Sequence, residues 1–203
     1  MNKGVGIGLG CLVVLVVAAL IMGLVAWRAY NNLVALEQDV NAKWAQVENV
    51  YQRRADLIPN LVATVKGYAA HESSVLEAVT ESRSRVGSIQ VSKDILNQPA
   101  EFQKFQQAQA NLSSALSRLL LVVERYPDLK ANQNFLELQS QLEGSENRIA
   151  VERKRFNESA QDYNTRIKQF PTLLFARMLG FPEKQYFQSA PGSEKAPVVD
   201  FSK

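Results

Sequence analysis

The sequence is poor in the residues that most enzymes use for chemistry. It contains one cysteine, Cys11, and one histidine, His71. No disulfide can form within one chain, and no second cysteine or histidine is present to share a metal ion or to build a nucleophile–base pair. The motifs G-x-x-x-x-G-K-[ST], H-E-x-x-H and C-x-x-C are also missing. We therefore expect no cofactor, no metal site and no enzymatic activity.

Clustered basic charge and sustained strand patterns are lacking as well. The net charge of +3 is spread along the chain, and no run of five basic residues occurs. This excludes the usual electrostatic footprint of a nucleic-acid-binding protein. Alternation of apolar and polar residues is nowhere maintained at length, and glycine and proline are scarce between a few breaks. The sequence therefore predicts an all-α fold.

One long apolar run is present near the N-terminus. Residues 5–27 contain no charged side chain, and 23 helical residues at about 1.5 Å each span roughly 35 Å, enough to cross a hydrocarbon core of about 30 Å. Trp27 and Arg28 close the run with side chains suited to the lipid interface. A cleaved signal peptide is the alternative, but its apolar region is shorter and a cleavage site follows it. We predict a short flank at 1–4 and a transmembrane helix at 5–27 in contact with membrane lipid.

Small residues recur at a spacing of four in and before this run. Such spacing lets two helix backbones approach closely and favours self-association, so a homo-oligomer is expected. The alternative is that glycine is simply common in membrane helices. The candidate residues for this contact are Gly4, Gly6, Gly8, Gly10, Ala19 and Gly23.

Beyond the run, apolar residues recur every seven positions. A period near 3.5 keeps one side of a helix apolar and suits left-handed helix packing. The three series are Leu33, Val40, Val47, Arg54, Leu61 and Tyr68; Phe105, Leu112, Leu119 and Tyr126; and Phe135, Leu142, Ile149, Phe156, Tyr163 and Phe170.

Breaks divide this pattern into helices at 30–68, 73–96, 100–126 and 128–169. Ser74-x-x-Glu77 predicts a capping box at the start of the second helix, and Asp128 is the predicted N-cap of the fourth. Pro59 predicts a kink in the first helix.

Short connections force neighbouring helices to be antiparallel. We therefore predict an antiparallel four-helix bundle over 28–181 that continues directly from the transmembrane helix. A C-terminal tail, 182–203, follows. Its β-prone end at 197–201 is expected to be loose, with strand addition to a partner as the alternative.

The end of the fourth helix should return toward the bilayer, because it runs antiparallel to the first. It brings the strongly apolar segment 170–181 near the membrane surface. Two interpretations are open: the segment closes the end of the bundle, or it contacts the membrane. The candidate membrane-contact residues are Phe170, Leu173, Leu174, Phe175, Leu179 and Phe181.

A charged residue, Arg54, occupies a core position of the first heptad series. A buried arginine must be paired, and antiparallel packing should bring it level with roughly Glu143, Glu146 and Glu152. Either the pair fixes the register of the helices, or the polar residues form a partner site. Asn60 belongs to this candidate set because its amide is placed to bond the carbonyl that Pro59 leaves free; the alternative is that its side chain is simply solvated.

Three long segments resemble hallmarks of the LemA family. The first is YQRRADLIPNLVATVKGY at 51–68, followed by AAHE at 69–72. The second comprises YPDLKANQNF at 126–135 and LQSQLEGSENRIAVER at 138–153. The third runs from RFNE at 155–158 through Tyr163-Asn164 to Phe170-Pro171. The resemblance covers nearly the whole chain.

The resemblance implies a single-span helical-bundle protein of the bacterial cell membrane, with no established enzyme activity. Family members tend to be encoded near other membrane proteins, including membrane metalloproteases, which implies a partner or scaffold role. The family is described with its bundle in the cytoplasm, whereas Lys3 before the apolar run favours a cytoplasmic N-terminus and an exterior bundle. Both orientations stay open.

The sequence thus predicts a membrane-anchored scaffold or adaptor that self-associates and binds envelope partners. Two alternatives belong to other classes. One is a membrane-remodelling or curvature-sensing protein that uses 170–181. The other is an accessory subunit of a membrane protease or other enzyme, with a polar crevice between helices.

Overall fold

The computed structural model describes residues 3–89 and 93–188, and the side chains from residue 10 onward except that of residue 93. Within these ranges helices are the only regular secondary structure, and no strand occurs, so the all-α prediction is confirmed. The elements in chain order are α1 (Lys3–Tyr68), α2 (Ser73–Ser88), a 3₁₀ helix (Lys93–Asn97), α3 (Pro99–Val123), α4 (Pro127–Lys130), α5 (Gln133–Lys168) and α6 (Thr172–Ala176).

Helix α1 is the organising element of the fold. It continues without interruption for 66 residues, about 100 Å at the usual rise. Its N-terminal part is apolar and long enough to cross a membrane, and its C-terminal part is the first helix of the bundle. The predicted continuation of the apolar helix into the bundle is confirmed, because no residue between 27 and 33 ends the helix.

The two longest helices, α1 and α5, pack against each other in antiparallel orientation. Two polar contacts define their register. The hydroxyl of Ser159 donates to a carboxylate oxygen of Asp39 at 2.6 Å, and Nη1 of Arg54 donates to Oε1 of Glu146 at 2.7 Å. Helices α2 and α3 pack on each other and complete the bundle.

The heptad series supply most of the core, as predicted. Leu33, Val40, Val47 and Leu61 are buried, as are Phe105, Leu112 and Leu119, and Phe135, Leu142, Ile149, Phe156 and Tyr163. The core has two apolar clusters. The membrane-proximal cluster surrounds Trp44 and Phe156, and the distal cluster surrounds Leu61 and Leu112. Arg54 lies between them.

Two predicted helix boundaries are wrong. Helix α2 ends at Ser88 and not at 96, and 93–97 forms a separate 3₁₀ helix. The buried side chains of Ile95 and Leu96 then join the membrane-proximal cluster, which a straight continuation of α2 would not allow. The predicted helix 128–169 is divided into α4 and α5, because a turn at 131–132 separates them.

The predicted caps at these boundaries are also wrong. Helix α2 begins at Ser73, as predicted, but its N-cap is Glu72 and not Ser74, since the carbonyl of Glu72 already accepts from the amide of Leu76 at 3.2 Å. Asp128 lies inside α4, which begins with Pro127 at its first position. The N-cap of the long helix α5 is Asn132, whose side-chain oxygen accepts from the amide of Phe135 at 3.1 Å.

Pro59 lies within α1 and leaves the carbonyl of Ala55 without its helical donor. Nε of Arg83, on α2, donates to this carbonyl at 2.9 Å. The donor is therefore Arg83 and not Asn60, whose side chain is exposed. The freed carbonyl of α1 is used to attach α2.

The sequence predicts a bundle that ends at 181 and a tail that begins at 182, but the chain stays packed on the bundle beyond this point. Residues 181–188, which we call the C-terminal strap, lie against the bundle with Phe181, Lys184 and Phe187 buried. The amide of Gln185 donates to the carbonyl of Leu96 at 3.1 Å. The rest of the predicted tail, including 197–201, lies outside the described residues.

Candidate functional site

A buried polar layer separates the two apolar clusters, and Arg54 is at its centre. Only 1% of Arg54 is exposed. Its Nη1 donates to Oε1 of Glu146 at 2.7 Å and to Oγ of Ser113 at 2.9 Å, and its Nη2 donates to Oε1 of Gln109. The guanidinium also lies over the ring of Tyr51, with Cζ 5.2 Å from the ring centroid. Arg54 thus joins helices α1, α3 and α5.

The bonds of the layer depend on how these three helices are aligned. A guanidinium without partners in this position would be strongly destabilising, because burial removes its hydration. Sliding either neighbouring helix by one residue would separate Arg54 from Glu146 or from Gln109. A single polar layer in an apolar seam fixes register in helical assemblies in the same way. The role of Arg54 as a register or partner site stays a proposal.

The polar layer opens to solvent through a crevice of about 280 Å³. Its walls are rich in side-chain amides, from Gln103, Gln106 and Gln107, and Arg153 lies at its mouth. Nη2 of Arg153 donates to the carbonyl of Gln188 at 3.2 Å. The crevice therefore connects the buried Arg54 with the end of the C-terminal strap.

The other carboxylates predicted near Arg54 lie elsewhere. Glu143 is exposed and accepts from Nε2 of Gln139 at 2.9 Å. Glu152 accepts from Nη1 of Arg155 on its own helix at 2.7 Å. Of the three, only Glu146 bonds Arg54. Glu143 lies on nearly the same side of α5 but almost one turn further along the axis, and Glu152 lies about 120° around the helix from Glu146.

Burial changes the acidity of two tyrosines of the membrane-proximal cluster. It raises the pKa of Tyr51, although the nearby positive charges of Arg153 and Arg54 oppose the shift. Burial also raises the pKa of Tyr163, and the charge of Glu37 adds to this rise. Both side chains stay neutral at physiological pH, so they serve as core aromatics.

Two asparagines of α5 hold the C-terminal strap by its backbone. The side chain of Asn164 donates to the carbonyl of Lys184 and accepts from its amide, both at 2.9 Å. Asn157 makes the same pair of bonds with Phe187, again at 2.9 Å. The two asparagines are seven residues apart, so they project from the same side of α5. Sequence reasoning missed them, although polar residues at this spacing beside core positions were visible.

The strap also contributes a buried cation. Lys184 is 3% exposed, and its Nζ donates to Oε1 of Glu37 at 2.6 Å and to Oδ1 of Asn97 at 2.9 Å. Nζ lies 5.2 Å from the centroid of the Tyr163 ring. One side chain thereby joins α1, the 3₁₀ helix and α5, and no sequence pattern indicated it.

An aromatic side chain of the strap completes the membrane-proximal cluster. Phe187 is buried between Phe102 at 5.1 Å, Phe156 at 5.5 Å and Trp44 at 6.0 Å, measured between ring centroids. Cζ of Arg153 lies over its other face at 4.5 Å. The strap is therefore part of the core and not an addition to its surface.

Replacing Asn164 with alanine should release the strap while leaving the helices in place. The backbone amide and carbonyl of Lys184 would lose their partners in a buried position, at a cost of about 1–3 kcal/mol. We expect faster hydrogen exchange at 182–188 in the Asn164→Ala variant. Asn111→Ala, at an exposed position of α3, is the matched control and should leave this exchange unchanged. Unaltered protection of the strap in Asn164→Ala would contradict the role given to this side chain.

Of the small residues predicted to pair membrane helices, those whose side chains the structure describes lie on an open surface. Gly10, Ala19 and Gly23 are exposed in α1, as are Trp27 and Arg28. An added Cβ at Gly10 or Gly23 would meet no other atom within 4 Å. Gly4, Gly6 and Gly8 belong to α1, but their surroundings lie outside the described part. Self-association through this surface stays a prediction.

The predicted apolar segment 170–181 has two distinct sides. Its inner side is packed: Thr172, Ala176 and Phe181 are buried against the bundle, and Phe175 is half-buried. Phe181 is thus a core residue and not a membrane-contact residue. The outer side consists of exposed apolar side chains, which we call the α6 apolar face: Phe170, Leu173, Leu174, Met178 and Leu179.

Groups suited to hold a metal ion are missing from the residues that the structure describes, where no three histidine, cysteine or acidic side chains cluster. His71 is exposed. The site that stands out is instead the buried polar layer around Arg54, together with the strap that closes the same side of the bundle.

The fold and these features define an all-α protein whose bundle is built on one long helix with an apolar, membrane-length segment. A model of the LemA family matches residues 43–201. The chain belongs to the LemA family, and the resemblance seen in the sequence is confirmed.

Named relatives agree with this assignment. Magnetosome protein MamQ 2 of Paramagnetospirillum magneticum is 29% identical over 84% of this chain and 68% of its own length. Magnetosome protein MamQ of Magnetospirillum gryphiswaldense is 29% identical over 91% of this chain and 75% of its own length. Protein LemA of Metamycoplasma hominis is 24% identical over 79% of this chain and 69% of its own length. None of these names describes an enzyme.

Proposed function

We propose that this protein is a membrane-anchored helical adaptor of the bacterial cell membrane. The apolar part of α1 crosses the bilayer once and holds the bundle at the membrane surface. There the bundle binds partner proteins of the envelope, and the glycine-containing surface of α1 allows self-association. The protein itself catalyses no reaction.

The observation that carries this proposal is the continuity of α1. The same helix is exposed and apolar from Leu12 to Leu24, and from Ala29 onward one of its sides is buried in the core. In water, so much exposed apolar surface would be strongly unfavourable, whereas in lipid it is satisfied. Because no flexible linker separates the two parts, the bundle and the apolar helix form one rigid unit.

The polar layer supports an adaptor more than an enzyme. Both terminal nitrogens of Arg54 are bonded within the bundle, to Glu146, Ser113 and Gln109, and Glu146 already neutralises its charge. In this proposal its role is to fix the alignment of the helices, and hence the shape of the surface that the bundle presents. A membrane metalloprotease is one partner class that the family resemblance suggests for this surface.

Extraction and crosslinking test the proposal. We expect the full chain to remain in the membrane after alkaline carbonate extraction, and mild crosslinking in native membranes to retain it in complexes larger than a monomer. The Arg54→Leu variant should change the pattern of crosslinked species while helicity is retained, because the polar bonds that favour one alignment of α1, α3 and α5 are lost.

Arg118→Leu is the matched control for this experiment. Arg118 is exposed on α3, so its loss removes a positive charge without disturbing the core. Release of the protein by carbonate would remove the anchor from the proposal. A strict monomer without crosslinked neighbours in the native membrane would remove the adaptor role. Protease protection in sealed vesicles decides on which side the bundle lies.

A further inference from the structure

We propose that the α6 apolar face lies in the headgroup–acyl boundary of the bilayer that α1 crosses, so the bundle is attached to the membrane at two places. The occupant of this face is a lipid surface carrying anionic headgroups. This inference rests on the proposed transmembrane anchor and adds a second, interfacial contact that orients the bundle.

The register of the long helices places this face at the correct height. Asp39 and Ser159 are in contact across α1 and α5. Tyr30 is nine residues before Asp39, and Lys168 is nine residues after Ser159. Because both helices rise by about 1.5 Å per residue and run in opposite directions, α5 ends level with Tyr30. This is within one turn of the last residue of the apolar run, Trp27.

The segment after α5 then overlaps the apolar run itself. Phe181 contacts Tyr30, with ring centroids 5.8 Å apart, and α6 packs against α1. Val25 and Ala26, inside the apolar run, are half-buried, whereas the residues from Gly10 to Leu24 are exposed. The segment after α5 therefore covers α1 next to Trp27 and Arg28, the residues that mark the lipid interface in the sequence.

The inner side of α6 fixes which way the apolar face points. Thr172 and Ala176 are buried in the bundle, so the segment cannot rotate to hide its outer side. Phe170 is 79% exposed and Met178 is 85% exposed. Elsewhere on the described bundle, exposed large apolar residues such as Leu121, Leu136 and Val151 are far apart along the chain, whereas the five of this face fall within ten residues. A contiguous exposed apolar patch indicates an interaction surface.

Charge around the face favours lipid. Arg177 is exposed within the segment, and Arg28 is exposed on α1 two residues before Tyr30, which contacts Phe181. An apolar surface with cationic side chains at its edge is typical of segments that lie in the membrane interface, where the cations meet lipid phosphates. Two cationic edges would oppose docking of a second identical face, so lipid is favoured over another copy of the chain.

Lipid-attached quenchers test this placement in the full chain. In a Cys11→Ser background, Leu174→Cys and Met178→Cys each provide one site for an environment-sensitive fluorophore. Leu121→Cys is the matched control, because Leu121 is also an exposed leucine but lies at the distal end of α3. The labelled proteins are reconstituted into vesicles of phosphatidylethanolamine and phosphatidylglycerol that contain spin-labelled lipids.

We expect several-fold stronger quenching by spin-labelled lipid at 174 and 178 than at 121, with blue-shifted emission at the first two sites. Iodide in the aqueous phase should show the opposite order. With the label at 178, Leu173→Glu combined with Leu174→Glu should abolish the lipid quenching. Both positions are exposed, so the change leaves the core intact.

Three outcomes would overturn the inference. The first is iodide access and lipid quenching at 174 and 178 equal to those at 121. The second is protection from iodide without lipid quenching, lost when the protein-to-lipid ratio is reduced, which would show that a second copy covers the face. The third is unchanged lipid quenching in the double glutamate variant. Carbonate extraction of the same vesicles reports on the α1 anchor separately. If the protein stays in the membrane after extraction but shows no lipid quenching at 174 and 178, only this inference is contradicted and the proposed anchor stands.

Discussion

Replacing Glu146 with leucine is expected to destabilise the bundle more than replacing its partner Arg54 with leucine. Loss of the carboxylate leaves a guanidinium that is 1% exposed with only Gln109 and Ser113 as partners. Removing one member of a buried pair costs about 3–5 kcal/mol. Because 41% of the Glu146 side chain reaches solvent, water partly compensates, and we expect about 2–3 kcal/mol.

The reverse substitution should cost less. In Arg54→Leu an apolar side chain takes the place of the buried stem, and the half-exposed carboxylate of Glu146 returns to water. The remaining cost arises because the buried side-chain oxygen of Gln109 loses its donor, which destabilises the fold by about 1 kcal/mol. The double variant Arg54→Leu/Glu146→Leu should therefore be more stable than Glu146→Leu alone, which is the sign of direct coupling.

Thermal unfolding of the full chain in detergent, followed by circular dichroism, measures this order. For a chain of this size 1 kcal/mol corresponds to a change in Tm of roughly 2–4 °C. The control is Glu158→Leu on the same helix, which breaks an exposed pair with Lys154 and should change stability by less than about 0.5 kcal/mol. If Arg54→Leu lowered Tm more than Glu146→Leu, the stability of the bundle would depend on the bonds that the guanidinium makes and not on the neutralisation of its charge by Glu146.

Phe156→Ala is expected to destabilise the protein strongly, whereas Phe170→Ala should have almost no effect on unfolding. Both residues belong to the same heptad series, but Phe156 is 0% exposed and Phe170 is 79% exposed. Phe156 packs between Trp44 and Phe187, with centroid distances of 5.4 and 5.5 Å. Truncating such a side chain costs about 3–5 kcal/mol through lost burial and the cavity that remains.

The same unfolding measurement distinguishes the two variants. We expect Phe156→Ala to lower Tm by on the order of 10 °C, and Phe170→Ala to stay within about 0.5 kcal/mol of the parent. The pair is a matched comparison, because residue type, substitution and heptad position are the same. Similar losses in both variants would mean that Phe170 packs into the bundle, which would also contradict the outward-facing α6 apolar face.

These two phenylalanines show how far the heptad pattern predicts the fold. It identified the buried positions from Leu33 to Leu61 and from Phe135 to Tyr163, because a side chain that repeats every 3.5 residues must stay on one side of a helix. It failed at Phe170, because α5 ends at Lys168. Periodicity continues to predict burial only while the helix and its neighbour both continue.

The caps failed for a different reason. Ser74-x-x-Glu77 matches a capping box, yet the first helical carbonyl is that of Glu72. The carboxylate of Glu72 instead accepts from Arg125 and Tyr126 at the opposite loop, at 3.0 and 3.2 Å. Local sequence signals compete with contacts from distant parts of the chain, and at this corner the distant contacts determine where α2 begins.

The sequence by itself determined the helical class, the membrane-length apolar helix, the core-facing series and the need for a partner to Arg54, because helix periodicity, helix length and the hydration of charge are local properties. Only the tertiary structure decided which carboxylate pairs with Arg54, which side chain satisfies the carbonyl freed by Pro59, and that Lys184 and Phe187 return to the core. Those choices depend on the register and rotation of helices that are far apart in the sequence. No local pattern encodes these quantities, because they arise only when several packed surfaces are satisfied together.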